Sequence, residues 1–326
     1  MAKVILHIGT HKTATTAIQN TFSANSRILA AHKIVYPKIG KSHWHHGLVP
    51  NWKAMPKAYH IAGGASAGLE KLVRDYAHTD TTVFISSEEF SRITALESLG
   101  LIRKMLSPFE SIQIALTLRS QWQFLQSVYL EVSKKRSPVR PSQYVRKALD
   151  SGACEGLWID YNSLLSQLER VFDPPEIKIF DFDAINNCPL GVIGTYLNHV
   201  GMKELERIDL CPASKGKSNI SPQPLASWIA NILSEPRVAT PGLVDIASSC
   251  LINEFGPGTQ TSIFTRDEYN ALFRHFDKLN SHLNHRFSMQ YPSSSFIAAE
   301  ARANTIYRDQ VSCSLLIRIA RKILRK

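Results

Sequence analysis

The sequence has few cysteines and no long apolar run, and each shortage excludes a class of protein. The five cysteines are scattered along 326 residues and form no CxxC pair. An odd and sparse set argues against a disulfide framework and favours a reducing compartment. No stretch approaches the ~20 apolar residues that span a bilayer, and the first apolar run is too short for a signal-peptide core. We therefore expect a cytoplasmic protein.

Acidic residues are also scarce relative to basic ones. Lysine and arginine total 38 against 27 aspartates and glutamates, and the net charge is +11. A moderately basic chain suits an anionic ligand, although charge alone does not name that ligand. The basic residues are not interleaved with aromatic residues on one evident face, so nucleic acid is not an expected partner.

Short strand-like runs alternate with segments of helical spacing over the first 185 residues. The strand-like runs lie at 3–8, 33–37, 81–86, 111–119 and near 177–182. This alternation predicts an α/β fold, with a central parallel sheet of about five strands flanked by helices. The later segments show helical spacing, which predicts a helical C-terminal half. We expect one domain over 1–300, followed by a tail at 301–326.

The loop after the first strand has only one of the two glycines expected of a nucleotide-triphosphate loop. Gly9 is followed by THKTATT, so the second glycine of the triphosphate loop GxxxxGK[ST] is missing. A strand–loop–helix unit still binds anions, because the loop amides and the helix dipole point at one spot. Lys12 adds a positive charge there, and Thr13, Thr15 and Thr16 add hydroxyl donors. A magnesium–triphosphate site of the usual kind is therefore disfavoured.

The stretch Lys12-Thr13-Ala14-Thr15-Thr16 resembles the 5′-phosphosulfate loop of sulfotransferases, which reads roughly K-[ST]-G-T-T after a strand. The resemblance implies a fold like that of P-loop NTPases and 3′-phosphoadenosine 5′-phosphosulfate (PAPS) as the donor substrate, with no metal. Ala14 departs from the pattern, because the family usually has glycine there. Where φ is positive, alanine costs ~1 kcal/mol relative to glycine. His11, beside the loop, joins these residues as a candidate for donor binding.

A second resemblance concerns the residues that bind the 3′-phosphate of the donor in this family. Arg119 follows a predicted strand, and Ser127 lies eight positions later in the next predicted helix, as in the bacterial branch. Arginine suits a phosphate because its planar fork donates two hydrogen bonds at once. A weaker resemblance concerns a late polar loop that closes over the nucleotide, for which Lys215, Lys217 and Asn219 are candidates; a solvated loop is the plain alternative.

The resemblance implies in-line transfer of a sulfuryl group to an acceptor hydroxyl, with positioning and electrostatics as the main catalytic effects. Lys12 would stabilise charge on the leaving phosphate. The acceptor needs a general base, and Glu88 is the first candidate because it stands nearest the end of the 81–86 strand. A glutamate with an ordinary pKa near ~4.3 is a weak base, so burial would have to raise it. Glu89 is the neighbouring candidate, and either could instead cap the next helix.

Histidine is the rival base. The stretch SHWHHGL contains His43, His45 and His46, and His46 ranks first because it precedes Gly-Leu, as in many bacterial relatives. An imidazole with a pKa near ~6.5 needs little tuning. A plain surface loop is the alternative, and a zinc site is disfavoured because no remote ligand is evident. His7, within the first strand, is interpreted as a packed histidine.

The segment CSLLIRIARKILRK, residues 313–326, carries five basic residues and no acid. Its apolar residues follow one helical stripe, which suits an anionic membrane surface or docking on the protein itself. The sequence as a whole predicts a bacterial sulfotransferase with a carbohydrate or glycolipid acceptor, cytoplasmic or peripheral on the inner face of the membrane. The alternatives are a P-loop kinase of a small molecule and a non-catalytic protein that binds anions or membranes.

Overall fold

The computed structural model describes residues 1–52, 55–137, 139–203, 210, 222–292 and 294–324. Its strands are β1 Lys3–His7, β2 Ile34–Val35, β3 Thr82–Ser86, β4 Ser111–Leu118, β5 Ala153–Cys154, β6 Leu157–Trp158 and β7 Ile177–Asp181. The five predicted strands correspond to β1, β2, β3, β4 and β7. The two-residue strands β5 and β6 were not predicted.

The five predicted strands form one parallel sheet in the order β2-β3-β1-β4-β7. At the end of β1, His7 lies opposite Ser86 of β3 and Ala115 of β4. Val4 to His7 are all buried, as expected for a central parallel strand with both faces covered. The chain runs to one side of β1 through β2 and β3, and then to the other side through β4. The loop after β1 therefore lies at the switch point of the sheet, where ligands of open α/β folds bind.

Helices account for most of the remaining structure. They are α1 Thr15–Ala24, α2 Ser26–Ala31, α3 Gly64–Tyr76, α4 Ile93–Leu96, α5 Leu99–Met105, α6 Gln121–Ser133, α7 Pro141–Ser151, α8 Tyr161–Leu168, α9 Phe182–Asn187, α10 Gly191–His199, α11 Pro224–Ser234, α12 Pro241–Phe255, α13 Arg266–Gln290 and α14 Cys313–Leu324. Short 3₁₀ turns occur at His45–Leu48, Lys57–Tyr59, Glu88–Ser91, Pro174–Glu176 and Arg308–Gln310. The predicted sheet flanked by helices and the helical C-terminal half are both confirmed.

The chain divides into two compact units. The first comprises Met1–Ser120, Gly156–Lys215 and Leu279–Ile297, and the second comprises Gln121–Glu155, Gly216–Lys278 and Ala298–Lys326. The parallel sheet belongs to the first unit. The predicted domain over 1–300, with a boundary to the tail near 300, stays a prediction.

Aromatic side chains pack helices against the sheet in the first unit. Phe22 of α1 stacks on Phe84 of β3 with ring centroids 4.4 Å apart, and Tyr196 of α10 lies 4.5 Å from the His7 ring. All four side chains are fully buried. Burying such a side chain contributes about 2–3 kcal/mol. This core fixes the end of β1, and with it the start of the phosphate loop.

In the second unit, α14 packs on α11 and α12. Leu315 and Ile319 are fully buried in a cluster with Leu225, Ile229 and Leu251. The stripe that predicted an amphipathic tail therefore supplies side chains to this unit's own core. Among the described residues, no helix is long and apolar enough to cross a membrane. Contact of 313–326 with anionic lipid stays a prediction.

Candidate functional site

The loop after β1 turns through left-handed backbone conformations. Gly9, Lys12 and Ala14 have φ values of 53°, 66° and 62°. Ala14 precedes α1, and its carbonyl accepts hydrogen bonds from the amides of Ala17 and Ile18. Ala14 thus stands at a position with positive φ, where glycine would fit without the Cβ penalty. Alternation of left-handed with right-handed residues is the geometry that gathers backbone N–H groups into anion-binding nests.

Several polar atoms around this loop are buried without a hydrogen-bond partner. They are the Thr10 and Thr15 hydroxyls, Nε2 of His7 and Nδ1 of His11. A Cβ placed on Gly9 would lie 3.1 Å from the Thr15 hydroxyl and 3.6 Å from His7 Nε2. An unsatisfied buried polar group costs about 1–3 kcal/mol, so such groups ordinarily have a partner. Their concentration in one loop indicates a ligand-binding site.

The other predicted loop residues have distinct surroundings. The Thr13 hydroxyl is buried and donates to the Thr10 carbonyl at 2.6 Å, so its proton is used within the loop. Thr16 is exposed on the first turn of α1, and Lys12 is half-buried. Lys12 and Thr16 can therefore reach a ligand above the loop, whereas Thr13 holds the loop in shape.

Arg119 at the end of β4 reaches the same loop. Its Nη1 donates to the Lys12 carbonyl at 2.9 Å, and its guanidinium lies over the Phe182 ring at 5.1 Å. The Tyr161 hydroxyl donates to the Arg119 carbonyl at 2.5 Å and fixes the backbone there. Burial lowers the pKa of Arg119, while Asp183 and Tyr161 oppose the shift. The hydrogen bond from Arg119 to Lys12 thus joins two sequence motifs that lie 107 residues apart in the chain.

The remaining predicted donor contacts are not placed at this loop. Ser127 lies on α6, in the second unit. Lys215, Lys217 and Asn219 lie outside the described residues. For all four residues, contact with the donor stays a prediction.

The two candidate glutamates lie in the 3₁₀ turn that follows β3. Ser87 caps this turn, because its hydroxyl accepts from the Glu89 amide; neither glutamate is the cap. Glu88 is half-buried and accepts a hydrogen bond from Gln19 Nε2 at 3.3 Å. The same Gln19 nitrogen donates to the Ser86 carbonyl at 3.2 Å. Gln19 of α1 thus holds Glu88 beside the end of β1.

Both carboxylate oxygens of Glu89 are engaged by neighbouring side chains. One oxygen faces Nε2 of His11 at 3.3 Å, and the other pairs with Nε of Arg92. Burial opposes ionisation of Glu89, but the hydrogen bonds and charges of His11 and Arg92 outweigh it and lower its pKa to about 2. A carboxylate held this firmly in its charged form is a poor proton acceptor. This pairing argues against Glu89 as the base.

The neighbouring histidines His45 and His46 have different roles. Nε2 of His45 lies 2.7 Å from the Pro37 carbonyl and must donate to it, while Nδ1 accepts from the Ser86 amide at 2.9 Å. Burial is the main cause that lowers the pKa of His45 to about 4. With both nitrogens engaged, His45 ties the loop to the end of β3 and is not available as a base.

His46 has a contact on one nitrogen that can orient it for catalysis. Nδ1 lies 2.7 Å from the Ser87 hydroxyl, and the imidazole packs against Tyr59 with ring centroids 4.7 Å apart. Burial lowers the pKa of His46, and the charges of Glu88 and Glu89 partly offset this effect. The ring is therefore neutral near pH 7, which is the form that a general base requires.

His43 and His7 fit supporting roles. His43 Nε2 lies 2.8 Å from Asn20 Oδ1, and burial lowers its pKa. His7 is fully buried, with Nδ1 2.8 Å from the Ser86 hydroxyl. Burial, with a contribution from His199, lowers the pKa of His7 to about 3. His7 is thus neutral and packed, as its place in the strand predicted.

A cavity of about 520 Å³ opens next to His46 in the first unit. Gly47, Asn51, Trp52 and His60 are among its lining residues. The Trp52 ring contacts the His46 ring edge-on, with centroids 6.4 Å apart. A Cβ on Gly47 would lie 2.1 Å from the Tyr59 carbonyl, so only glycine lets the two segments cross here. The cavity places a space of ligand size beside the candidate base.

A metal site does not account for the histidine cluster. In the described part of the chain, no group of three or more His, Cys, Asp or Glu side chains could hold a metal ion. His45, the middle histidine of the sequence cluster, uses both ring nitrogens for hydrogen bonds to the backbone. The cluster is therefore explained by loop bracing and by the placement of His46.

Comparisons with known proteins add little. No family model and no curated protein matches the sequence. Among solved structures, the chain is similar to a sulfotransferase from Alicyclobacillus acidocaldarius, with 12% identity and a TM-score of 0.41 over 69% of this chain and 90% of that one. A likeness this distant carries no argument about activity, which is left to the site itself.

Proposed function

We propose that the protein is a sulfotransferase that moves the sulfuryl group of PAPS to an acceptor hydroxyl. The observation that carries the proposal is the hydrogen bond from Arg119 to the Lys12 carbonyl. It joins the two motifs that resemble the family's 5′-phosphosulfate and 3′-phosphate signatures. A donor with a phosphate at each end would need these two cations close together.

The residues of the loop fit such a donor. The Thr10 and Thr15 hydroxyls are buried and have no partner, so they can donate to phosphosulfate oxygens. Left-handed Lys12 and Ala14 shape the backbone as in an anion nest. When bound, PAPS supplies a sulfuryl group on a phosphate leaving group. Lys12 would hold the charge that develops on the leaving oxygen, and Arg119 would hold the far phosphate.

His46 is the preferred base for the acceptor hydroxyl. It is neutral at physiological pH, and its Nδ1 contact with Ser87 fixes the ring. Glu88 is the second candidate, since it is half-buried beside the same strand end. Glu89 is not proposed as a base because its charge is paired with His11 and Arg92.

The cavity beside His46 is the proposed acceptor site. The indole ring of Trp52, which lines the cavity, can pack against the apolar face of a sugar. Asn51 and His60 can form hydrogen bonds with sugar hydroxyl groups. A volume of about 520 Å³ suits a sugar unit rather than a whole polymer. A carbohydrate or the sugar of a glycolipid is therefore the proposed acceptor.

Calorimetry with adenosine 3′,5′-bisphosphate and with Mg²⁺–ATP tests the donor. We expect the bisphosphate to bind more tightly, and Arg119→Ala to weaken it by about 10- to 100-fold, since a hydrogen bond to a charged group contributes about 1.5–3 kcal/mol. Arg170→Ala is the matched control, because Arg170 is exposed in the same unit. A preference for Mg²⁺–ATP would overturn the proposal in favour of the kinase alternative, and equal binding by Arg119→Ala would remove its main support.

A further inference from the structure

Arg92, Glu89 and His11 form a chain of side-chain contacts that ends in the phosphate loop. Arg92 pairs with one oxygen of Glu89, and the other oxygen lies 3.3 Å from His11 Nε2. The Glu89 and His11 side chains are only 13% and 15% exposed. His11 immediately precedes Lys12 in the loop, so the chain links a surface arginine to the anion-binding backbone.

The hydrogen bond to Glu89 decides how the His11 ring is protonated. An ionised carboxylate only accepts hydrogen bonds, so Nε2 of His11 must carry a proton. The other nitrogen, Nδ1, is buried and has no partner. In a neutral ring Nδ1 is a bare acceptor. A sulfate or phosphate oxygen beside it is also an acceptor, so the two cannot bond unless a proton is added.

We propose that His11 couples anion binding to proton uptake: as the loop binds a sulfate or phosphate oxyanion, Nδ1 of His11 takes a proton from solvent and donates it in a hydrogen bond. Glu89, backed by Arg92, compensates the imidazolium charge from the opposite nitrogen. Glu89 is then a positioning residue that acts through His11. The inference needs only an oxyanion in the loop, so it is separate from the choice of PAPS as donor.

Other titratable groups near His11 do not explain proton uptake. His46 is close enough to interact with His11 electrostatically, but burial lowers its pKa. His7, whose Nε2 points towards Gly9, has a pKa of about 3. Burial therefore disfavours protonation of both rings near pH 7, so neither is expected to take up the proton. The remaining charged neighbours are Lys12, which follows in the loop, and Glu88, which shares the turn of Glu89.

The permanent cations Lys12 and Arg119 at the loop strengthen the case for a carboxylate behind His11. Arg119 contacts the Lys12 carbonyl from β4, so two permanent cations already face the loop. A further cation at His11 would be repelled by them unless a negative charge stood close to it. Glu89, with its pKa lowered to about 2, supplies that charge at every pH at which the protein is expected to work.

Calorimetry with inorganic sulfate, in buffers of different ionisation enthalpy near pH 7.5, measures the protons taken up on binding. Sulfate has no protonation step near neutral pH, so uptake reports on the protein. We expect uptake of up to about one proton by the wild type and none by His11→Asn, with about tenfold weaker binding. Glu89→Gln keeps the shape but loses the charge, so it should reduce the uptake. His282→Asn, an exposed histidine of the same unit, should behave as wild type.

Nitrogen NMR of the His11 ring gives a second readout that does not depend on binding heat. Addition of sulfate should convert Nδ1 from an unprotonated to a protonated nitrogen, and Glu89→Gln should weaken this change. Sulfate binding without proton uptake, uptake that persists in His11→Asn, or no sulfate binding at all would each overturn the inference. Proton uptake with sulfate, combined with preference for Mg²⁺–ATP over the bisphosphate, would sustain this inference while contradicting the proposed donor.

Discussion

The end of β1 and the packed helices α11, α12 and α14 bury their side chains in opposite ways. Around the phosphate loop, two threonine hydroxyls and one nitrogen of each of two imidazole rings are buried without partners, and Lys12 and Ala14 adopt left-handed conformations. The helical cluster is built from aliphatic side chains such as Leu251 and Ile319. Apolar burial stabilises a fold without regard to ligands, whereas unpaired polar burial costs stability unless a ligand repays it.

This comparison shows which sequence patterns concern function. Packing accounts for part of the amphipathic pattern in the C-terminal segment, since Leu315 and Ile319 are buried within the second unit. Contact with anionic lipid remains a proposal, and it would have to use exposed basic side chains such as Arg321 and Lys322. The loop pattern has no such packing explanation, because the Thr10 and Thr15 hydroxyls and one ring nitrogen each of His7 and His11 are buried without a hydrogen-bond partner.

The largest expected effect is on turnover at the loop end of the sheet. His46→Asn should lower the rate of sulfuryl transfer by about 10²- to 10⁴-fold, because the base is lost while the donor site is intact. Adenosine 3′,5′-bisphosphate should bind as in the wild type. The assay uses sugar and glycolipid acceptors that the wild type sulfates, with Glu88→Gln measured in parallel. A greater loss in Glu88→Gln than in His46→Asn would assign the base to Glu88.

The next effect is on the stability of the helical cluster. Ile319→Ala should reduce the free energy of unfolding by about 3–4 kcal/mol, through lost burial and the cavity left behind. Ile317→Ala, at a side chain that is 51% exposed, should change it little. Urea denaturation measures both variants. Equal effects at the two positions would show that α14 is not docked as described.

A smaller effect on the free energy of unfolding, which depends on pH, is expected at Glu89. Its pKa is lowered from 4.5 to about 2 in the fold, so its ionised form stabilises the protein above about pH 4.5, and that contribution is lost as the pH falls towards 2. At neutral pH the wild type should exceed Glu89→Gln by at most about 3 kcal/mol. Denaturant unfolding across this range should show the difference shrinking with acid. Asp80→Asn, at an exposed ion pair, should show little difference at any pH.

The smallest effect on the free energy of unfolding is expected at Ala14, where the 5′-phosphosulfate loop of sulfotransferases usually has glycine. Ala14→Gly should raise the free energy of unfolding by about 0.5–1 kcal/mol, because φ is 62° there. Ala17→Gly, inside α1, should lower it by about 1 kcal/mol, since helix propensity then dominates. Thermal unfolding compares the two. Destabilisation by both changes would mean that the Ala14 methyl contributes packing that outweighs its backbone strain.

Much of the fold was predictable because its signals are local. The apolar run at 3–8 became β1, and the run at 111–119 became β4. The chain after the phosphate loop forms two helices that meet at Asn25, whose side chain donates to the Thr21 carbonyl. The two-residue strands β5 and β6 were missed, because so short a segment leaves no periodic pattern to detect.

The candidate site was predictable only in part. The sequence identified the loop and Arg119, since both follow strands whose carboxyl ends share one edge of the sheet. It ranked three neighbouring histidines without knowing their partners, and it ranked Glu88 above Glu89 only because Glu88 stands nearer the end of the strand. His11 and Glu89 lie 78 residues apart, so no local pattern could pair them.

The amino-acid sequence by itself determined the strand–helix alternation, the loop between the first strand and helix and an amphipathic C-terminal helix, because periodicity and turn chemistry act over a few residues. Only the tertiary structure decided that His45 braces the loop against the backbone, that the His46 ring contacts the Ser87 hydroxyl, and that Glu89 pairs with His11. It also decided that α14 buries Leu315 and Ile319 in its own unit. These outcomes depend on which groups share a buried volume, where each hydrogen bond and charge is made or lost by contacts far apart in the chain.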